Sequence, residues 1–166
     1  MRITKFFQIP SKIIIIAILL VSISACQNNL TKSGNQSNEE IKGDQGITGE
    51  VLWFEGNLMP GPNKKMPSGK PVVKEIFIYE LTGKAQTKFD GQFFSEIKTD
   101  LISQIKSDEN GKFKIALPSG KYSLFVKEPN GFFANSFDGE GHINPIEVEP
   151  GKYTNCILKI DYQAAY

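Results

Sequence analysis

A single histidine, His142, limits the chemistry open to this 166-residue chain. Hydrolysis through a Ser-His-Asp or Cys-His arrangement needs a base to take the nucleophile's proton, and the sequence offers one candidate for that role. No G-x-S-x-G, H-E-x-x-H or glycine-rich phosphate loop accompanies it. The acidic residues are scattered over strand faces and turns, a poor basis for paired acid and base work. The chain therefore reads as non-catalytic, with no catalytic residue and no cofactor expected. His142 does close the segment FDGEGHIN, where Asp138, Glu140 and His142 recur at a spacing of two. In an extended backbone that spacing puts two carboxylates and one imidazole on one side, a ligand set for a divalent cation. Gly139 and Gly141 favour an irregular loop instead, so a solvated turn competes with the metal site.

A second chemistry belongs to the aromatic residues. Trp53, Phe54, Phe132, Phe133 and Phe137 fall at the ends of alternating apolar runs, beside segments rich in Gly and Asn. Exposed rings there would stack on sugars or form a protein-binding patch, framed by loops at 55–71 and 129–143. Trp53 is in phase with Ile47 and Val51, which argues that some of these rings fill a core.

The two thiols, Cys26 and Cys156, differ in setting. Cys156 alternates with Leu158, Ile160 and Tyr162 and has no cation beside it, the pattern of a buried, inert cysteine. Cys26 follows a basic start (Arg2, Lys5, Lys12) and an apolar run from Ile13 to Val21. That run is shorter than the roughly 20 residues a helix needs to cross a bilayer, so it reads as a cleaved signal. The residues Ile23, Ser24, Ala25 and Cys26 resemble the lipobox of bacterial lipoproteins. The resemblance implies a signal peptide over 1–25 and a diacylglycerol on the Cys26 thiol. Each buried methylene contributes about 0.8 kcal/mol, so two or more acyl chains anchor a protein stably to a membrane.

These candidate groups must be positioned by the remaining residues. Loss of residues 1–25 removes three of 19 basic and none of 18 acidic residues, leaving a net charge of −2. That balance supplies no electrostatic attraction for nucleic acid. From Cys26 to Gln45 the chain is polar and nearly free of apolar residues, too little to repay the entropy of ordering. As a flexible tether it would reach roughly 25 Å. Residues 46–166 show short period-two runs separated by Gly, Pro, Asn and Asp, which predict strands. They fall near 46–54, 72–81, 93–106, 112–117, 121–128, 132–137, 144–149 and 154–162. Seven or eight strands of this length suit a single antiparallel Greek-key β-sandwich. Asp108 to Gly111 and Pro118 to Gly120 are placed to close hairpins between neighbouring antiparallel strands. Two inserts, 55–71 and 82–92, interrupt the spacing, and four of the nine prolines lie in the first.

The segments ITGEV at 47–51, GKPVV at 69–73, SDENGKFKIALPSGKYSLFV at 107–126 and EVEPGKYTNCILKI at 147–160 resemble carboxypeptidase regulatory-like, or transthyretin-like, domains. The resemblance implies a prealbumin-like sandwich that supports or binds another cell-envelope protein rather than catalysing a reaction. The alternative is a module for a glycan or peptide ligand. The expected location is the cell envelope, lipid-anchored at the outer membrane. The residues after the cysteine, Gln27 to Leu30, lack the acidic run associated with surface display, so the face is open between periplasmic and external.

Overall fold

The computed structural model describes residues 43–63 and 67–166. The signal peptide, Cys26 and nearly all of the expected tether lie outside the described residues. The strands, in chain order, are β1 (Gly46–Asn57), β2 (Lys70–Pro71), β3 (Glu75–Glu80), β4 (Lys88–Phe89), β5 (Phe94–Ser95), β6 (Leu101–Lys106), β7 (Lys112–Ala116), β8 (Gly120–Glu128), β9 (Gly131–Phe133), β10 (Pro145–Val148) and β11 (Tyr153–Ala165). One 3-10 turn, Lys84–Gln86, is the only helical element among the described residues.

The strands form two sheets, an all-β sandwich. In the four-stranded sheet β1 lies centrally, with β11 on one side and with β7 and β2 in succession along the other. The seven-stranded sheet runs β4-β5-β9-β8-β3-β6, and β10 also pairs with β8. All pairs are antiparallel except β1 with β11, the first and last strands, which run parallel from Gly46 opposite Tyr153 onward. Parallel neighbours need a long crossover, and nearly the whole sandwich supplies it here. A shift in register after Trp53 lets the pairing continue to Asn57 opposite Ala165.

Alternation explains the core. Ile47 and Val51 of β1, Ile76 and Ile78 of β3, Leu124 and Val126 of β8, and Leu158 and Ile160 of β11 point between the sheets and are buried. Cys156 packs against the same core, and burial pushes its thiol up to about 12, so it stays protonated and inert. Gly49 of β1 has no room for a side chain, since a Cβ there would stand 2.4 Å from the Cys156 carbonyl oxygen.

The turns at 108–111 and 118–120 correct the expected hairpins. β6 and β8 belong to the larger sheet and β7 to the smaller, so both turns cross between layers. The cause lies in the first turn. Asp108 Oδ1 accepts from the Asn110 and Lys112 N–H groups at 2.9 and 2.8 Å, and Gly111 oxygen accepts from Val51 N–H at 2.8 Å. That last bond ties the turn to β1 and delivers β7 to the β1 edge. Gly111 adopts a φ of 72°, and a Cβ there would meet the Val51 oxygen at 2.6 Å.

A second, smaller core lies on the outer face of the larger sheet. Phe94, Phe125, Ala134 and Ile143 are buried there, with Tyr79, Ile97 and Phe132 around them. Part of the cover comes from the chain between β3 and β6, which includes the second insert. It is fastened by Ser123 Oγ, which accepts from Thr82 N–H at 2.9 Å, and by Thr82 Oγ1 against Thr99 Oγ1 at 2.6 Å.

Candidate functional site

The loop after β9 carries the metal candidates. Ile143 N–H donates to Thr82 oxygen at 2.8 Å and Lys84 N–H to Gly141 oxygen at 3.2 Å, so the second insert holds this loop in place. Within it, Gly141 N–H reaches back to Asp138 oxygen at 3.3 Å, and Gly141 takes a φ of 87°. The segment is thus a turn, as its glycines imply. The turn still gathers Asp138, Glu140 and His142, whose ligand-type atoms lie within 4.8 Å of one another.

Most of that geometry is internal. Asp138 Oδ1 accepts from the Glu140 N–H at 2.9 Å and the His142 N–H at 2.8 Å, while Oδ2 lies 2.7 Å from His142 Nδ1. Glu140 Oε2 is 3.7 Å from the same nitrogen, on a side chain 83% exposed. Asp138 Oδ1 thus already accepts two backbone donors of its own loop, so the arrangement acts first as a clamp. Lys121, Ile146 and Glu147 complete a cleft of about 450 Å³ beside it.

Partial burial acts upward on the Asp138 carboxyl, but the hydrogen bonds from the His142 ring and from the His142 and Glu140 amides outweigh it. The net pKa is below the ordinary carboxylate value. A depressed folded pKa adds stability above the unfolded value and loses it as pH falls through the folded one. The His142 and Glu140 amide resonances should therefore titrate together below about pH 4. Asp138→Asn should abolish that step; a step that survives the substitution would assign it to another group.

The five aromatic candidates do not form one surface. Phe133 is buried in the main core at 5% exposure. Trp53 is half-buried, edge-on to Tyr162 at 5.2 Å, and its indole N–H donates to Glu55 Oε2 at 2.9 Å. Phe54 is half-buried over Gly69, where an added Cβ would stand 2.6 Å from its ring. Phe132 joins the outer-face cluster, 5.0 Å from Phe77, with the Lys127 ammonium 4.6 Å from its ring. Phe137 alone is exposed, at 43%. The 129–143 loop thus presents a ring. In the 55–71 loop, β1 continues to Asn57 and residues 64–66 lie outside the described residues.

Sequence reasoning missed Phe89, 52% exposed, which stands across a groove from Phe137. Its signal was a phenylalanine inside the polar turn segment TKFDGQ, where no core alternation accounts for it.

Fold and site together define a two-layer all-β sandwich with an aromatic groove and an acidic, histidine-bearing loop. No protein-family model matches the chain, and comparisons with curated proteins and with solved structures found no match.

Proposed function

We propose that this chain is a non-catalytic envelope lipoprotein, anchored through Cys26 after loss of residues 1–25. The carboxypeptidase regulatory-like, transthyretin-like sandwich acts in it as a structural or protein-interaction module. The tether at 26–45 gives the sandwich its reach from an outer-membrane anchor, on the periplasmic or the external face.

The supporting observation for protein interaction is strand β6. It ends the larger sheet and pairs only with β3 among the described strands. Leu101 and Ile102 on it are 48% and 40% exposed, and nearby Val73 is 44% exposed. An open edge with apolar side chains is costly for a protein to leave bare, and pairing with another protein relieves that cost.

Cross-linking and affinity capture from native membranes test this reading. A stoichiometric protein partner is expected with the natural chain and is expected to be lost with Leu101→Glu/Ile102→Glu. Recovery of the same partner by that variant would count against it.

A further inference from the structure

We propose that the groove between Phe89 and Phe137 is a binding site for a neutral sugar. It narrows the ligand-binding alternative to one groove and is independent of the β6 edge. The groove encloses about 280 Å³ over Phe133, Ala134 and Tyr162. Its two exposed rings are held from beneath: Phe94, 1% exposed, lies 4.6 Å from the Phe89 ring and 6.3 Å from Phe137. Contact with this buried ring restrains both before any ligand arrives, which lowers the ordering cost of binding.

The rim supplies the polar half. Asp161 Oδ1 accepts from Asn135 Nδ2 at 2.8 Å and Oδ2 from the Tyr166 hydroxyl at 2.6 Å. Gln92 Nε2 donates to the Tyr162 carbonyl at 3.2 Å, which fixes the orientation of its carboxamide. Each carboxylate oxygen keeps capacity for a further donor, and the carbonyl oxygens of Asn135 and Gln92 can accept as well. A ligand rich in hydroxyl donors fits such a rim.

Charge at the rim disfavours anionic ligands. Asp161 forms no ion pair among the described residues, so its charge repels phosphates, carboxylates and anionic lipid surfaces. The nearby Lys84 ammonium lies over the Phe137 ring, 4.2 Å from its centre, so Asp161 is the charge that faces the hydroxyl-binding side of the rim. A sugar ring meets both halves of the site: its C–H face lies on a phenyl ring and its hydroxyls donate to the acceptors.

The test uses the full mature protein in detergent, titrated by calorimetry with cellohexaose, maltohexaose, mannohexaose, xylohexaose and galactohexaose. At least one should bind, and Phe89→Ala and Phe137→Ala should each weaken it about tenfold. Asp161→Asn should weaken it less, and Leu101→Glu not at all. Should either alanine variant lose its urea midpoint, Phe89→Leu and Phe137→Leu, which keep apolar bulk without the ring, should still weaken binding. No binding by any of the five, or binding unchanged in Phe89→Ala/Phe137→Ala, would overturn the proposal. So would variant-sensitive binding seen only with a peptide library or with phosphatidylglycerol vesicles.

Discussion

Replacing Lys74 with methionine is expected to cost about 3–5 kcal/mol of folding stability, the usual penalty for leaving a buried charge unpaired. The charge in question is Glu128, whose side chain is 1% exposed and whose Oε1 lies 2.6 Å from Lys74 Nζ. Its other oxygen accepts from the Tyr162 hydroxyl at 3.0 Å. Burial, reinforced by that carboxylate, pushes the Tyr162 hydroxyl up to about 12, so it remains a donor across the working pH range. Lys74 itself is 24% exposed, with its ammonium 5.5 Å from the centre of the Trp53 ring. The two sides of the pair are therefore unequal. Without Glu128 the lysine can turn toward water, whereas without Lys74 the carboxylate stays inside with one neutral donor. Glu128→Leu should accordingly cost less than Lys74→Met. The double variant Lys74→Met/Glu128→Leu should regain most of the loss, because it removes the buried charge altogether. Urea unfolding of the four proteins measures this directly. A double variant as unstable as the sum of its parts would show that packing, not charge, sets the cost.

Phe125→Ala is the second large effect, with an expected cost of about 3–5 kcal/mol. Phe125 is fully buried on the outer face of the larger sheet, with edge contacts to Tyr79 and Phe94 at 5.7 Å each and to Phe132 at 6.2 Å. Its loss leaves a cavity beneath the chain between β3 and β6, which the small outer core and the Thr82–Ser123 hydrogen bond hold to the sheet. Hydrogen exchange should show the amides near β4 and β5 losing protection before those of β1 and β11. Uniform loss across both sheets would mean that the outer core is not a separate unit.

Phe125 also marks where alternation stops being informative. Period two assigns Tyr122, Leu124 and Val126 to one face of β8, and they are in the main core. The same rule sends Ser123, Phe125 and Lys127 outward, yet Ser123 and Phe125 are fully buried. A strand pattern gives the faces, but not what a distant insert lays over them. Sheet membership was hidden for a related reason. Asp108 to Gly111 has the composition of a hairpin turn, and the same residues serve an arch between sheets. The bond from Val51 to Gly111 decides between them, and it joins residues 60 positions apart in sequence. The parallel pairing of β1 and β11 is non-local in the same sense.

The candidate site divides along the same line. The gathering of Asp138, Glu140 and His142 was legible because it is local, set by one turn and its two glycines. The aromatic groove was legible only at Phe137. Phe89 and Gln92, Asn135, and Asp161 come from three segments, and their approach depends on how β4, β5 and β11 meet. Phe133 looked equivalent to Phe137 in sequence, but its place on β9 turns it into the core.

The most direct measurement is the intact mass and membrane partitioning of the mature protein, beside a Cys26→Ser variant. The expected result is a polypeptide beginning at Cys26 that carries acyl chains and enters the detergent phase, with the variant unprocessed and unacylated. A freely soluble product with an unmodified thiol at Cys26 would contradict the lipid anchor on which the proposed role depends.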